Sequence, residues 1–174
     1  MSNRVNPTSL RFHPIAEQDH TYCQSFSSGN QSMDSFLKEE AYYRHILREG
    51  SSTLIMLNSE LVGYFTLQRK DIQLQDGVAE VRSSLDIARL AVSEPMQNKG
   101  IGEATIKLIK EIANMINERY ITLDALFEKR EWYRKLGFKP AIEQEYETEC
   151  EDSLVYMYLD TYDPKLIEDY FENP

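Results

Sequence analysis

The chain has 174 residues, the size of one domain, and is long enough to bury about 70% of the surface that its unfolded form exposes. Its two cysteines, Cys23 and Cys150, are too few for a disulfide framework and form no metal-type spacing with the three histidines. No segment approaches the roughly 18 consecutive apolar residues of a membrane span, and the N-terminal segment lacks a signal-peptide core. We therefore predict a single domain over residues 1–174, no metal, no membrane association and a cytoplasmic location.

The net charge of −10 is concentrated near the C-terminus. Residues 141–174 contain eleven of the 29 acidic residues and only one of the 19 basic residues, so the first 140 residues are balanced. A group of five basic residues lies within that balanced part: Lys129, Arg130, Arg134, Lys135 and Lys139. This basic cluster could bind an anion or simply face solvent.

The first half of the chain reads as a strand, a helix, a hairpin and a strand. LRFHPI (10–15) predicts the first strand, and the apolar spacing after residue 28 predicts a helix that begins at Asn30 or Ser32 and ends at Gly50. Two apolar runs around Asn58-Ser59 predict a β-hairpin. SSLDIARLAV (83–92) predicts a strand whose apolar end indicates burial on both faces.

The second half continues in the same mixed order, which predicts an α/β (α+β) fold. A helical period runs from Gly100 to about Arg119, and ITLDALF (121–127) follows it as a strand. KREWYRKLG predicts a short helix ended by Gly137, and DSLVYMYLD predicts the closing strand. Between these two, EQEYETECED (143–152) alternates glutamates with other residues, so a strand there would line one face with carboxylates.

Two glycines, Gly100 and Gly102, lie in the loop between a predicted strand and the following helix. Glycine lets the backbone approach a ligand closely, and the first N–H groups of a helix lack partners and carry the positive end of its dipole. Such a loop suits a pyrophosphate. A glycine-eased turn without a ligand is the alternative, because a dinucleotide fingerprint would need a third glycine at Thr105 and the Gly-Lys-Ser/Thr of a triphosphate loop is absent.

Two stretches together, ARLAVSEPMQNKGIGEATI (88–106) and LDALFEKREWYRKLGFKP (123–140), resemble the GNAT superfamily of acetyl-CoA-dependent N-acetyltransferases. The shared pattern is a hydrophobic strand, Gln/Arg-x-x-Gly-x-Gly/Ala, a helix, a second strand and an aromatic-Tyr-x-x-x-Gly-Phe segment. The resemblance extends over residues 10–160 and implies a mostly antiparallel central sheet, splayed at its middle and flanked by helices. It leaves 161–174 as an acidic C-terminal extension.

The resemblance implies acetyl-CoA as cosubstrate and assigns its binding to the backbone. The pyrophosphate would lie on the N–H groups of the loop, which comprises Gln97, Asn98, Lys99, Gly100, Ile101 and Gly102. The pantetheine arm would pair with Leu90, Ala91 and Val92, and the Val92 N–H would stabilise the thioester oxygen as it becomes an oxyanion.

Three side chains are candidates for the chemistry. By resemblance, Tyr133 occupies the position of the general acid that protonates the leaving thiolate, although a tyrosine beside Trp132 could also be a core residue. Asp86 stands where some members carry a glutamate base; a solvated carboxylate at a strand edge is the alternative. Arg89 could orient the acceptor or pair with a neighbouring acid.

The acceptor is the least determined feature. We expect a primary amine, which could belong to a small cationic molecule, a peptide or an aminoacyl-tRNA. FSSGNQSMDSFLKEEA (26–41) and RLAV (89–92) are similar to the branch that includes toxins acetylating aminoacyl-tRNA, which would imply an antitoxin partner. The acidic C-terminal region argues against RNA, since RNA binding gains affinity from Lys and Arg.

Two further alternatives stay open at this point. A non-catalytic acyl-CoA-binding module would keep the fold without turnover. Residues 161–174 could form a helix with Leu166, Ile167 and Tyr170 on its apolar side, covering a sheet edge or a partner subunit, and a homodimer is one assembly that this would allow.

Overall fold

Seven strands form the centre of the molecule in a computed structural model that describes residues 4–75, 77–78 and 80–172. The strands are β1 (Leu10–Pro14), β2 (Ser51–Leu57), β3 (Glu60–Ile72), β4 (Arg82–Val92), β5 (Tyr120–Leu126), β6 (Lys139–Pro140) and β7 (Leu154–Asp160). They make one sheet in the order β1-β2-β3-β4-β5-β7-β6. Only β4 and β5 are parallel, and every other pair is antiparallel, which confirms the predicted mixed, mostly antiparallel sheet.

The helices before the hairpin lie between β1 and β2. They are α1 (His20–Ser25), α2 (Gln31–Ser35), a π-helical segment (Phe36–Glu40) and α3 (Ala41–Ile46). Asn30 caps α2 as predicted, because its side-chain oxygen accepts from the Met33 N–H at 3.2 Å. The run ends before the predicted Gly50, since Arg48 adopts the left-handed conformation that stops a helix (φ 63°). The short α1 was not predicted.

The later helices are α4 (Ile101–Met115), α5 (Arg130–Lys135), α6 (Glu143–Glu147) and α7 (Pro164–Glu172). The predictions of α4 and α5 are confirmed, and Gly137 ends α5 with φ 99°. α4 stops at Met115, earlier than predicted, because Asn117 takes φ 55° and turns the chain towards β5.

The suggestion that residues 143–152 form a strand lined with carboxylates was wrong, because this stretch begins with α6 instead. Tyr146 decides the conformation: its ring is buried under the guanidinium groups of Arg130 and Arg134, each 5.3 Å from the ring centroid. Its hydroxyl also contacts Glu131. A short helix buries this one aromatic ring, exposes Glu143 and Glu147 to solvent and lets Glu145 accept from the Tyr156 N–H at 3.1 Å.

The sheet carries helices on both faces, which confirms the predicted architecture. One core lies between the sheet and α4 and α5, with Phe65, Ile87, Ile109, Leu123 and Met157 among its buried side chains. A second core packs α1, α2, the π-helical segment and α3 onto β2 and β3. Beyond α1–α3, this second face of the sheet carries polar side chains, including those of Gln68, Asp86 and Thr122.

The acidic C-terminal extension forms the predicted helix, α7, and no residue of α7 is buried. Its apolar side chains Leu166, Tyr170 and Phe171 are mostly exposed to solvent. Across the described ranges, no helix combines the length and apolarity needed to cross a bilayer.

Candidate active site

A gap opens in the middle of the sheet between β4 and β5. The two strands pair over only three residues each, Leu85–Ile87 against Ile121–Leu123. Beyond these, β4 stays paired with β3 as far as Val92, and β5 stays paired with β7 as far as Leu126. The inner edges of β4 and β5 therefore diverge, as the predicted splay requires.

The backbone of β4 presents hydrogen-bonding groups to this gap. Ser93 donates to the Val62 carbonyl of β3 at 2.9 Å, and Gly63 pairs with Val92. Because N–H groups alternate between the two edges of a strand, the N–H groups of Val92 and Leu90 point away from β3 and into the gap. The N–H group of Ala91 points towards β3 instead. Of the three residues predicted to pair with the pantetheine arm, Leu90 and Val92 therefore keep their N–H groups available.

The β4–α4 loop leads into α4, and among the described residues none accepts from the first N–H groups of this helix. The first intrahelical bond runs from Ala104 N–H to the Gly100 carbonyl at 3.1 Å, so the N–H groups of Ile101, Gly102 and Glu103 have no acceptor one turn earlier. Gly100 has φ 87°, a conformation that favours glycine, and so fixes the direction in which the helix starts. The loop therefore offers what an anionic ligand needs.

Two predicted loop residues use their side chains differently from each other. The Gln97 amide donates to the carbonyls of Ser28, at 2.8 Å, and Val92, at 3.0 Å, so this side chain holds the loop in place. The Gln97 N–H is also bonded, to Glu94 O. The Lys99 ammonium contacts only the Met96 sulfur among the described residues, at 3.8 Å, and stays available to an anion.

The turn before α2, FSSGN (26–30), contacts the β4–α4 loop and helps to hold it in place. Glu94 N–H donates to the Ser27 carbonyl at 3.0 Å, and Gln97 donates to Ser28 as described above. Gly29 has φ 79°, and a Cβ there would lie 3.0 Å from the Glu94 carboxylate. This contact explains physically why a turn some 70 residues earlier in the sequence belongs to the same site.

Tyr133 lies on α5, on the face of the sheet that α4 also covers. Its ring packs edge-to-face against Trp132 at 4.8 Å and Phe138 at 5.7 Å between centroids. Among the described residues, none hydrogen-bonds to its hydroxyl. Burial raises the pKa of Tyr133 to about 12, so the phenol is protonated at neutral pH and can donate a proton.

The packing of Trp132 against the backbone favours a glycine at position 102. A Cβ at Gly102 would lie only 3.1 Å from the indole ring, so the missing side chain lets Trp132 pack directly on the first turn of α4. The aromatic pair on α5 thereby contacts the start of α4. The sequence suggested that Gly102 admits a ligand; the structure shows that it also admits this ring.

Asp86 is buried, so the alternative of a solvated carboxylate was wrong. Its two oxygens accept hydrogen bonds from Thr122 and Gln68, both at 2.8 Å, and the Lys70 ammonium lies 3.9 Å away. Lys70 also lies 3.5 Å from Asp124. Partial burial alone would lower the pKa of Lys70, but the carboxylates of Asp86 and Asp124 raise it, so this ammonium stays charged.

The residues around Asp86 were missed by the sequence analysis, although the strand pairing contains the signal. Gln68 pairs directly with Asp86, and Asp86 pairs directly with Thr122, so three polar residues stand side by side across β3, β4 and β5. Lys70 lies two residues beyond Gln68 and therefore on the same face. The register of β3 against β4, which the sequence does not fix, was needed to bring them together.

Arg89 lies on the same face, next to the π-helical segment. Its guanidinium stacks over the Phe36 ring at 4.9 Å and donates to the Ala88 carbonyl at 2.8 Å. The buried Nε atom has no partner among the described residues. The structure therefore gives Arg89 an aromatic neighbour and an unused donor, and no carboxylate partner.

Two residues of the basic cluster, Arg130 and Arg134, lie on α5 beside Tyr133. In the basic cluster, Arg130 stacks on Phe127 at 3.7 Å and Arg134 contacts Tyr146, so both guanidinium groups have protein partners. In the part of the chain that the structure describes, no group of three or more His, Cys, Asp or Glu side chains is arranged to hold a metal ion.

A splayed sheet, a glycine-containing turn into a helix and a half-buried phenol together are typical of acyl-CoA-dependent transferases. Comparison with known families agrees: residues 18–152 match the model of the GNAT acetyltransferase domain. The chain belongs to the GNAT acetyltransferase family and is an enzyme that uses acetyl-CoA as cosubstrate.

Among curated proteins, the chain is 26% identical over 127 residues to a tRNA-acetylating toxin of Mycobacterium tuberculosis, covering 66% of this chain and 76% of that protein. Among solved structures, it resembles the toxin AtaT complexed with acetyl-methionyl-tRNAfMet (TM-score 0.68, 19% identity, 93% and 99% of the two chains). A mutant of AtaT bound to acetyl-CoA and the C-terminus of the antitoxin AtaR gives TM-score 0.69 at 20% identity, over 94% and 99%. At these identities, the two structures show the shared fold.

Proposed function

We propose that the enzyme transfers the acetyl group directly to a primary amine and that this amine belongs to an aminoacyl-tRNA. The similarity to the tRNA-acetylating toxin carries this proposal, because it is a match in sequence as well as in fold. Arg89 gives local support. It places a half-buried guanidinium group on the second face of the sheet, where its positive charge suits an RNA phosphate.

In this proposal acetyl-CoA binds through the loop and the gap. The N–H groups of Ile101 and Gly102 donate to the diphosphate at the start of α4, and Lys99 adds a positive charge. The pantetheine arm lies along the inner edge of β4, where the N–H groups of Leu90 and Val92 point into the gap. The thioester then reaches the end of the gap near Tyr133 on α5.

The chemistry proceeds in one transfer without an acyl-enzyme. The amine nitrogen attacks the thioester carbon, and the carbonyl oxygen gains negative charge that the Val92 N–H stabilises by about 3 kcal/mol. The C–N bond forms, the C–S bond breaks, and the departing thiolate takes the proton of the Tyr133 hydroxyl. The products are the acetylated amine and CoA.

The amine must lose a proton in the same reaction, and Asp86 is our candidate to receive it through water. Its carboxylate belongs to a group of polar side chains on the second face of the sheet, which suits this role. Both of its oxygens already accept hydrogen bonds, from Thr122 and Gln68, so proton transfer requires one of these donors to yield. Asp86 therefore acts more weakly as a base than an unbonded carboxylate.

A small cationic amine is the second candidate acceptor, and a specific contact favours it. The Lys70 ammonium lies between the Asp86 and Asp124 carboxylates and 4.6 Å from the centroid of the Tyr156 ring. This arrangement already holds one ammonium group, so a competing cation of the acceptor finds matching chemistry there.

The proposal also includes an antitoxin partner, in line with the AtaT–AtaR complexes that this fold resembles. A homodimer is proposed as the second assembly, through the exposed apolar side of α7.

Release of CoA thiol decides between the acceptors. We expect the enzyme to release thiol from acetyl-CoA with aminoacyl-tRNA and to do so far more slowly with spermidine, an aminoglycoside or a lysine peptide. Induced expression should arrest growth, and Tyr133→Phe should abolish both effects. Turnover of spermidine together with harmless overexpression would instead establish the small-amine enzyme.

A further inference from the structure

Arg4 lies against the loop that precedes α4, far from it in sequence. The N-terminal segment is attached to the loop by a hydrogen bond from Val5 N–H to the Lys99 carbonyl, at 2.9 Å. The Arg4 guanidinium is then so close to Gly100 that a Cβ built at Gly100 would lie 3.0 Å from its Nη2 atom. A permanent positive charge therefore lies beside the N–H groups of Ile101 and Gly102, for which the described part of the chain provides no acceptor.

The guanidinium forms an ion pair with Glu103. Glu103 is the third residue of α4, so its carboxylate lies within the first helical turn, where negative charge is favoured. The same position makes Glu103 a competitor of any other anion at this helix start. Both side chains remain in contact with solvent, at 61% and 44% exposed, so their pairing can rearrange when a stronger anion arrives.

An open cavity extends from this pair along α4. It has a volume of about 370 Å³, and its lining includes the cations Arg4 and Lys107 and the carboxylates Glu103 and Glu111. Lys107 lies four residues after Glu103 and therefore on the same side of the helix. The cavity gives a phosphate group room next to the loop, but its two cations are balanced by two carboxylates, so Arg4 must leave Glu103 to bind another anion.

We propose that Arg4 is a coenzyme-binding residue, whose guanidinium leaves Glu103 to hold the diphosphate of acetyl-CoA on the start of α4. This inference rests on the proposed placement of the diphosphate at Ile101 and Gly102. A guanidinium can donate two parallel hydrogen bonds to phosphate oxygens, which strengthens the backbone contacts and screens the Glu103 charge from the ligand. Arg4 thus extends the coenzyme site to a segment outside the 18–152 family match.

A purely structural role for Arg4 is the competing explanation. In that case Arg4 only neutralises Glu103. When Arg4 is removed, the unpaired Glu103 carboxylate repels a phosphate group from the helix start. The two explanations differ in a background without the Glu103 charge. A coenzyme-binding arginine still matters there, whereas a neutralising one does not.

The test is calorimetric binding of CoA to the wild type, Arg4→Ala, Glu103→Gln and the double variant, with Arg11→Ala as the control. Arg11 is an exposed arginine on β1. We expect Arg4→Ala to weaken CoA binding about tenfold, Glu103→Gln to preserve or tighten it, and Arg11→Ala to leave it unchanged. The loss caused by Arg4→Ala should persist in the Glu103→Gln background, and Arg4→Lys should recover part of it.

Three results would overturn the inference. If the loss disappears in the Glu103→Gln background, Arg4 only neutralises Glu103. If it disappears when 3'-dephospho-CoA replaces CoA, Arg4 binds the 3'-phosphate and the diphosphate assignment is wrong. If the wild type binds CoA and Arg4→Ala binds it equally well, Arg4 has no part in the site, whereas failure of the wild type itself to bind CoA would overturn the placement of the coenzyme as well.

Discussion

The Tyr133 hydroxyl belongs to an aromatic cluster that Tyr133 forms with Trp132 and Phe138. Its ring is held between Trp132 and Phe138, and none of the described residues accepts its proton. We expect Tyr133→Phe to reduce acetyl transfer at least 100-fold, because general-acid catalysis contributes roughly 10²–10⁴-fold. The melting temperature should hardly change, since the packing of the ring is preserved. Thiol release and thermal unfolding measure the two effects.

A matched control for this substitution is Tyr43→Phe, because the Tyr43 side chain is 62% exposed on α3. Removing its hydroxyl should alter neither activity nor stability. If Tyr133→Phe kept its rate within a few-fold of the wild type, the phenol would not be the proton donor.

The raised pKa of Tyr133 predicts the alkaline side of the pH profile. Burial disfavours the phenolate, so the hydroxyl keeps its proton up to about 12, whereas an ordinary tyrosine loses it near 10. Acetyl transfer should therefore rise as the acceptor amine deprotonates and should not fall again by pH 10. Initial rates between pH 7 and 10 test this expectation. A decline centred below pH 10 that occurs in the wild type and not in Tyr133→Phe would contradict it.

At this scale the sequence predicted the residues whose role is local. Asn30, one of the two helix caps that the sequence offered, is confirmed, whereas the positive φ of Gly100 was not predicted. Tyr133 follows a local motif, and its role stays a prediction. Arg4 could not be inferred in this way, because it reaches Glu103 only through the fold. The burial of Asp86 likewise depends on strands that lie far apart in sequence.

At the scale of elements, the contact between α5 and the start of α4 can be tested at Gly102. An alanine there would favour the helix by about 1 kcal/mol, but its Cβ would press on the Trp132 ring at 3.1 Å. We expect the displaced indole to dominate, so that Gly102→Ala weakens acetyl-CoA binding several-fold. Calorimetry on the variant measures this effect.

The rescue of this variant is specific to the proposed contact. Trp132→Phe removes the ring atoms nearest to Gly102, so the double variant Gly102→Ala with Trp132→Phe should bind acetyl-CoA better than Gly102→Ala alone. Equal binding by the single and double variants would show that the indole does not transmit the effect.

Unlike the Gly102 substitution, removal of the C-terminal helix α7 should have little effect on coenzyme binding or stability. No residue of α7 is buried, so ending the chain after Thr161 removes little packing. The truncated enzyme should retain its acetyl-CoA affinity and its melting temperature within about 2 °C. A larger loss of stability in a monomeric sample would show that α7 packs on the domain, and a change of mass in sedimentation would show that it joins two copies.

The elements themselves were largely predictable, because most carry a clear period of apolar residues. α6 was not, since five alternating glutamates imitate the period of a strand while a single ring, that of Tyr146, selects a helix. The gap between β4 and β5 was expected from the family resemblance only. The pattern of apolar residues in β4 and β5 does not predict where the pairing of the two strands ends.

At the scale of the whole molecule, acetyl-CoA should stabilise the fold. A ligand present at 100 times its Kd adds about 2.7 kcal/mol to the free energy of unfolding. For a domain of this size, that corresponds to a rise in Tm of about 5–10 °C. Thermal unfolding with and without acetyl-CoA measures the shift. Tyr133→Phe should show the same shift as the wild type, because it removes a catalytic proton and no phosphate contact.

The short pairing of β4 with β5 makes the sheet two units, β1–β4 and β5–β7, joined laterally by three residue pairs and by the helices that cover them. With the pantetheine arm along β4, as we propose, the coenzyme supplies part of the missing connection and so becomes a temporary component of the sheet. Release of CoA at the end of each turnover then removes that connection. The two parts of the sheet are therefore held together more weakly in the free enzyme than in the coenzyme-bound enzyme.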